Sequence, residues 1–401
     1  MLPKSDFPIL QRKHNGQPII FLDGPAGTQV PEYVINAMSE YYRSSNANSH
    51  GAFLTTKETD AMMADARRMM ASFLGAEGPE CISFGQNMTT LAYSLSRALA
   101  RKLQPGDEVL ITQLDHEANR GPWLALREHG IVVREVDMLS TGKLNQKDLE
   151  QKVNARTRLI CMGYASNITG TVNDVAFARK KAYEVGAWLL LDAVHYAAHF
   201  PIDVQAIGCD FLLCSVYKFY GPHVGILYSR PGLLDQLPTD RLRTTDQHAP
   251  YKIETGTLNH AALAGVKATV EYISSKGQGT ELRDQLVSTM SKIANHERAL
   301  GEQLYYGIES IDSVQIIGPT FDEIERAPTI SFYTAKMTAM EVCRQLTDHN
   351  IFAWDGHFYA IRATEVLGLY EKGGVTRMGI SGYTDEGDVE KTIAVLREML
   401  R

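Results

Sequence analysis

The chain has 401 residues, enough for two or three domains at about 150 residues each. Hydrophobic residues make up 44% and charged residues 22%, the balance of a globular chain that buries a large core without disulfides or metals. Lys plus Arg is 40 against 47 for Asp plus Glu, a formal charge of −7 with no basic run, which sets nucleic acid and anionic membranes aside as partners. The five cysteines (Cys81, Cys161, Cys209, Cys214 and Cys343) are odd in number, sparse and mostly set in apolar runs. They read as reduced core thiols of a cytoplasmic protein, not as a disulfide framework or zinc site. The first ten residues carry Lys4 and Asp6 and lack the apolar stretch of a secretory signal. No apolar run reaches the ~18 residues of a membrane helix.

Two amphipathic helices are expected first, over 32–43 and 58–74, with Pro31 suiting the start of the first. Short apolar runs then recur at 81–84, 108–112, 131–137, 158–165, 188–194, 210–216 and 224–229. Most are continuous rather than alternating, as in Trp188-Leu-Leu-Leu-Asp-Ala-Val194. Strands of that kind are buried on both faces, as in a parallel sheet covered by helices. Helical patterns at 89–101 and 174–186 lie between them, the second with a start signal at Asn173-Asp174 and Gly186 near its end. Alternating strand and helix predicts an α/β doubly wound domain. Helices at 262–272 and 281–307 lead into a last part, where short strands (329–333, 376–380) mix with helices (339–349, 386–400). The expected division is a large α/β domain at 20–275 and a smaller α+β domain formed by 1–19 and 276–401.

Four stretches carry chemistry, and each alone has a plain structural alternative. In Cys214-Ser-Val-Tyr-Lys218-Phe-Tyr-Gly-Pro222 a lysine stands just past a buried strand. Burial there lowers its pKa, as a Schiff-base lysine requires, yet taken alone the stretch favours a snorkelling strand-end lysine. In Leu189-Leu-Leu-Asp192-Ala-Val-His195 an aspartate ends an apolar strand at the sheet's carboxyl edge, where ligands of open α/β sheets bind. A protonated pyridine nitrogen would satisfy it; so would a turn cap. His195 and His199 stand four apart, but Pro201 follows and no third ligand is evident, so no metal is expected. His116, in Leu114-Asp-His-Glu-Ala-Asn119, offers a flat ring at the same edge or a plain loop histidine. Phe84-Gly-Gln-Asn-Met-Thr-Thr90 offers hydroxyls and free N–H groups at a helix start, a phosphate-binding arrangement. No G-x-G-x-x-G or Walker pattern competes with it. Asn167 follows another strand, and Arg377, on an expected strand of the second domain, can fork onto a carboxylate or form an ordinary ion pair.

In order, these read as phosphate turn, ring-stacking His, Asn, strand-end Asp and strand-end Lys. This order and spacing resemble the fold-type I enzymes that use pyridoxal 5′-phosphate (PLP). More narrowly, they resemble the class V aminotransferases, which include the cysteine desulfurases and isopenicillin N epimerase-like proteins. The likeness runs from Phe21-Leu-Asp-Gly-Pro-Ala26 to the final helix and is most specific from Asp192 to Tyr228. It implies a mostly parallel seven-stranded sheet with helices on both faces. It also implies that Lys218 holds the cofactor, Asp192 partners its ring nitrogen and His116 stacks on its ring. Asn167 and His195 would stand near the phenolic oxygen, the latter where desulfurases carry Gln. Met88, Thr89, Ser215 and Tyr217 would form the phosphate cup, Tyr217 in place of the usual histidine. Thr257 would reach the phosphate of a neighbouring subunit, hence a homodimer, and Arg377 would clamp the substrate carboxylate.

One further departure bears on the reaction. Desulfurases of the nearer subgroup carry a loop Arg-x-Gly-His-His-Cys whose thiolate takes the sulfur. The matching stretch is Trp354-Asp-Gly-His357-Phe-Tyr359, with tyrosine at the cysteine position. A phenol forms no persulfide. With His357 and Tyr359 placed beside the substrate, the expected reaction is Cα deprotonation followed by β-elimination, as in a C–S lyase. Class V transamination, epimerisation, and an inactive PLP-fold binding protein are the alternatives.

Overall fold

The computed structural model describes residues 1–401. Seven strands form the central sheet: β1 (Ile82–Gly85), β2 (Glu108–Thr112), β3 (Val132–Val136), β4 (Thr157–Gly163), β5 (Trp188–Asp192), β6 (Phe211–Ser215) and β7 (Gly225–Ser229). Their order is β1-β7-β6-β5-β4-β2-β3. From β3 to β6 neighbouring strands run parallel, and β7 is antiparallel to both β6 and β1. The apolar runs explain the burial: β2, β6 and β7 are buried at every residue. Within β5, Leu189 and Leu191 face one core while Leu190 faces the other, the period-two alternation of a strand covered on both sides.

The covering helices are α1 (Glu32–Ser44), α2 (Leu54–Leu74), α3 (Met88–Ala100), α4 (Val175–Glu184) and α5 (His260–Ser274). Helix α2 begins four residues before the amphipathic pattern does, because Thr56 Oγ1 ties its first turn to the preceding loop, accepting from Gly51 N–H and donating to Asn48 O. The start signal at Asn173-Asp174 holds: Asp174 Oδ1 accepts from Phe177 N–H at 2.9 Å. Helix α3 is capped by Asn87, whose Oδ1 accepts from Thr90 N–H at 2.9 Å.

The last part carries α6 (Leu282–Glu309), α7 (Ala339–Asp348) and α8 (Glu386–Met399), the last two closed by capping boxes. Its antiparallel sheet has four strands, β8 (Val314–Ile317), β9 (Thr329–Thr334), β10 (Trp354–Gly356) and β11 (Val375–Gly379), ordered β8-β9-β11-β10. Strands β8 and β10 add to the two expected. Neither has a readable alternation, and each exists because a buried neighbour offers an unpaired edge. Helix α6 serves both cores: Leu286, Met290 and Ile293 pack in the large one, Leu300, Leu304 and Ile308 in the small one. Residues 1–19 touch both parts. Leu2 N–H donates to Gly382 O, and the Phe7 ring packs on Tyr220, Tyr272 and Tyr383. No helix is long and apolar enough to cross a membrane.

Candidate active site

The carboxyl ends of β4, β5 and β6 and the start of α3 open into one cavity. It gathers Met88, Thr89, His116, Asn167, Asp192, His195, Ser215, Tyr217 and Lys218, residues scattered over 130 positions of sequence (218 − 88). A wider outer cavity of about 750 Å³ continues from it and adds Arg377, His357 and Tyr359. Thr257 lines neither of these cavities; it is exposed, and lines one surface groove with Tyr42 and Asn259 and another with Asn87, Thr89 and Tyr217.

Lys218 is buried, and its amine donates to Pro25 O. Burial, reinforced by the Arg377 guanidinium, lowers its pKa to about 7. Asp192 Oδ1 accepts from Val194 N–H at 2.9 Å, while burial raises its carboxyl to about 6. Ala118 N–H donates to His116 Nδ1 at 2.9 Å, which leaves the ring proton on Nε2. Burial, with Lys218 and Arg377 nearby, holds that ring neutral, its pKa down to about 4. Beneath it Asp115, which sequence reasoning passed over, accepts from Gly163 N–H (2.7 Å) and Thr112 N–H (3.3 Å) and fixes the strand ends. A buried acid next to a flagged histidine was the available signal.

At the other end, Met88 N–H donates to Ser215 Oγ at 3.2 Å, bringing the first turn of α3 against β6. The approach is tight because residue 225 is glycine: a Cβ there would lie 2.3 Å from the Asn87 carbonyl carbon. Tyr217 stacks flat on His223, centroids 4.6 Å apart. Arg377 is held by Asp23 Oδ1 and Asn167 O, both at 3.2 Å, with its guanidinium 3.8 Å above the Phe358 ring. Asp23 and Phe358 are thus further members of the site. Asp23 stood in the Phe21–Ala26 stretch, where its acid was the signal.

The outer rim is strained. Phe358 and Tyr359 have φ of 52° and 58°, in the left-handed region that side chains disfavour. Asn167 Nδ2 holds Phe358 O at 2.9 Å and Glu117 N–H holds Tyr359 O at 2.7 Å. Tyr359 is 66% exposed, with its ring 5.4 Å from that of His116. All five cysteines are buried, and none lines either cavity. The two histidines four apart go separate ways, His195 to Thr329 and His199 to Glu297.

This donor set fits PLP: a buried amine near neutrality, a carboxylate in the same cavity, a neutral flat ring, and the N–H groups of a helix start for a dianionic phosphate. A cysteine desulfurase of Yersinia pseudotuberculosis is 31% identical over 99% of this chain and 97% of its own length. The apo cysteine desulfurase of Thermococcus onnurineus superposes with a TM-score of 0.89 at 25% identity, covering 99% of this chain and 97% of that one. The cysteine desulfurase CsdA of Escherichia coli gives 0.85 at 24%, covering 99% and 98%, and speaks for the fold alone. Residues 20–392 match the family model described as aminotransferase class-V. A match of that extent over a site of that chemistry shows that the chain belongs to the class V aminotransferases, fold-type I enzymes whose cofactor is pyridoxal 5′-phosphate.

Proposed function

We propose that this enzyme removes the Cα proton of an amino acid and expels a β-substituent bound through sulfur. The observation that carries the reading is that every thiol of the chain is buried and none lines either cavity; the resemblance puts Tyr359 at the position of the desulfurase cysteine. Burial also raises the pKa of all five thiols, Cys81 and Cys343 to about 12, so no thiolate is at hand to accept sulfur.

When bound, PLP draws electrons away from Cα. Arg377, pinned by Asp23, holds the substrate carboxylate and sets which Cα bond faces Lys218. Lys218, with a pKa of about 7, takes the proton and can return it. Asp192 would hold a negative charge for the ring nitrogen, and His116, kept neutral by burial, would not compete for that proton. The Cβ–S bond then breaks with its electron pair on sulfur, the thiolate takes up a proton and departs through the outer cavity, and the released aminoacrylate takes up one water to give keto acid and ammonia. Trp354, Phe358 and Tyr359 make that cavity wider than cysteine itself needs, which favours S-conjugates of cysteine.

The test is product analysis of the PLP-loaded enzyme with S-substituted cysteines. Stoichiometric pyruvate, ammonia and free thiol support the lyase. A pyridoxamine spectrum with keto acid and no thiol indicates transamination; deuterium uptake at Cα with racemisation and no other product indicates epimerisation. Either replaces this reading.

We also read the enzyme as a homodimer. Support comes from exposed Tyr33, Ile35 and Tyr42 on α1, with Phe53 and Leu54 at the start of α2. Tyr42 shares its groove with Thr257. A cytoplasmic location remains part of the same reading.

A further inference from the structure

His195 is 4% exposed and lines the inner cavity, where its ring has one fixed partner: Nε2 lies 2.9 Å from Thr329 Oγ1. Nδ1 has no hydrogen bond within the chain. Thr329 opens strand β9 of the small domain and is fully buried. Its carbonyl accepts from Arg326 and its backbone pairs with Gly379, but its hydroxyl meets nothing except His195.

Burial keeps His195 neutral, and the charges of Lys218 and Arg377 add to it. Lys218 and Asp192 line the same cavity. On its own segment His199 meets it edge-on, centroids 4.9 Å apart, and is itself paired at 2.7 Å with Glu297 from α6. A neutral imidazole carries one ring proton, and Thr329 decides where it goes. If Nε2 held it, the threonine hydroxyl would accept, and its own proton would be buried without an acceptor. If the hydroxyl donates to Nε2, both groups are satisfied and the proton sits on Nδ1.

We infer that Thr329 is a positioning residue that fixes His195 as the Nδ1–H tautomer, so that a neutral donor is presented to the phenolic oxygen of bound PLP. Asn167, the other residue expected there, already gives an amide N–H to Phe358 O. The inference rests on the PLP site described above. It makes a small-domain strand the setter of a large-domain hydrogen bond.

Ring-15N histidine labelling of the apoprotein reads the tautomer directly, the His195 signals being those lost in His195→Gln. The expected pattern is protonated Nδ1 and bare Nε2, preserved in Thr329→Ser and lost in Thr329→Val. In the PLP-loaded protein, Thr329→Val is expected to move the pH midpoint of the visible cofactor band upward, by up to about one unit, because a donor to an anionic oxygen is weakened. Thr329→Ser should restore the wild-type midpoint. A wild-type ring protonated on Nε2 overturns the inference even if the valine variant does not fold, and so does a folded Thr329→Val with both readouts unchanged. Failure of the wild type to form any visible PLP band overturns the cofactor reading instead, and removes the phenolic-oxygen role while the apoprotein tautomer is still measured.

Discussion

At the scale of single residues, burial does most of the chemical preparation. Lys218 ordinarily titrates at 10.5 and here near 7. Between those values the unfolded chain binds a proton that the folded apoprotein does not, so this lysine costs stability below about 7 and the cost fades as pH rises toward 10.5. The stability deficit of wild-type apoprotein against Lys218→Met should therefore shrink across that window in denaturant titrations. Covalent uptake of PLP should quicken through pH ~7 and then level off, since the neutral amine is the reactive form. Asp192 has the opposite sign: raised from 3.8 to about 6, it favours folding at low pH and loses that contribution as pH climbs through 6. Asp192→Asn is expected to keep PLP bound yet lower turnover by about a hundredfold or more, read as kcat at saturating substrate. Lys218 and Asp192 were legible because a charged residue ending an apolar run is conspicuous. Thr329 and Pro25 were not, and Asp23 was visible only as an acid whose partner was not. A threonine on an apolar strand, a proline carbonyl and a loop acid acquire meaning only from the residue that the fold brings opposite them.

At the scale of elements, one buried ion pair ties three pieces together. Arg67 of α2 bonds both oxygens of Glu254 (2.7 and 3.1 Å), and Glu254 Oε1 also accepts from Phe84 N–H of β1 at 2.6 Å. The Arg67 guanidinium lies 4.7 Å from the Phe84 ring and 4.8 Å from that of Tyr251. Glu254 begins the segment that ends at Thr257, so the helix, the first strand and the loop that carries Thr257 share one anchor. Arg67→Met should cost about 3–5 kcal/mol, because it strands a buried carboxylate, whereas Arg67→Met with Glu254→Leu should recover much of that loss. Urea denaturation of the three proteins checks it. Sequence periodicity showed α2 but not this pair, since an arginine on an amphipathic helix reads as solvated surface. The same limit hid β10: Trp354-Asp-Gly has no strand pattern and becomes a strand through the edge of β11. The large sheet was readable because its strands are apolar on both faces; the small sheet was half readable because its outer strands are short and only partly buried.

At the scale of the molecule, the proposed dimer makes the exposed C-terminal end of α1 around Tyr42 a functional surface. Tyr42→Glu places a charge in the groove that Thr257 shares. It is expected to shift the protein toward monomer in sedimentation and to weaken PLP retention, while the isolated chain keeps its helical content. Unchanged sedimentation would remove the interface from that surface. Helix α6 limits what else can move. Its 28 residues extend about 42 Å, with one half rooted in each hydrophobic core. Such a girder resists any clamshell swing between the two bodies, because bending it would tear apolar contacts from one root or the other. Traffic into the catalytic chamber must then be regulated locally, at the strained doorstep formed by Phe358 and Tyr359.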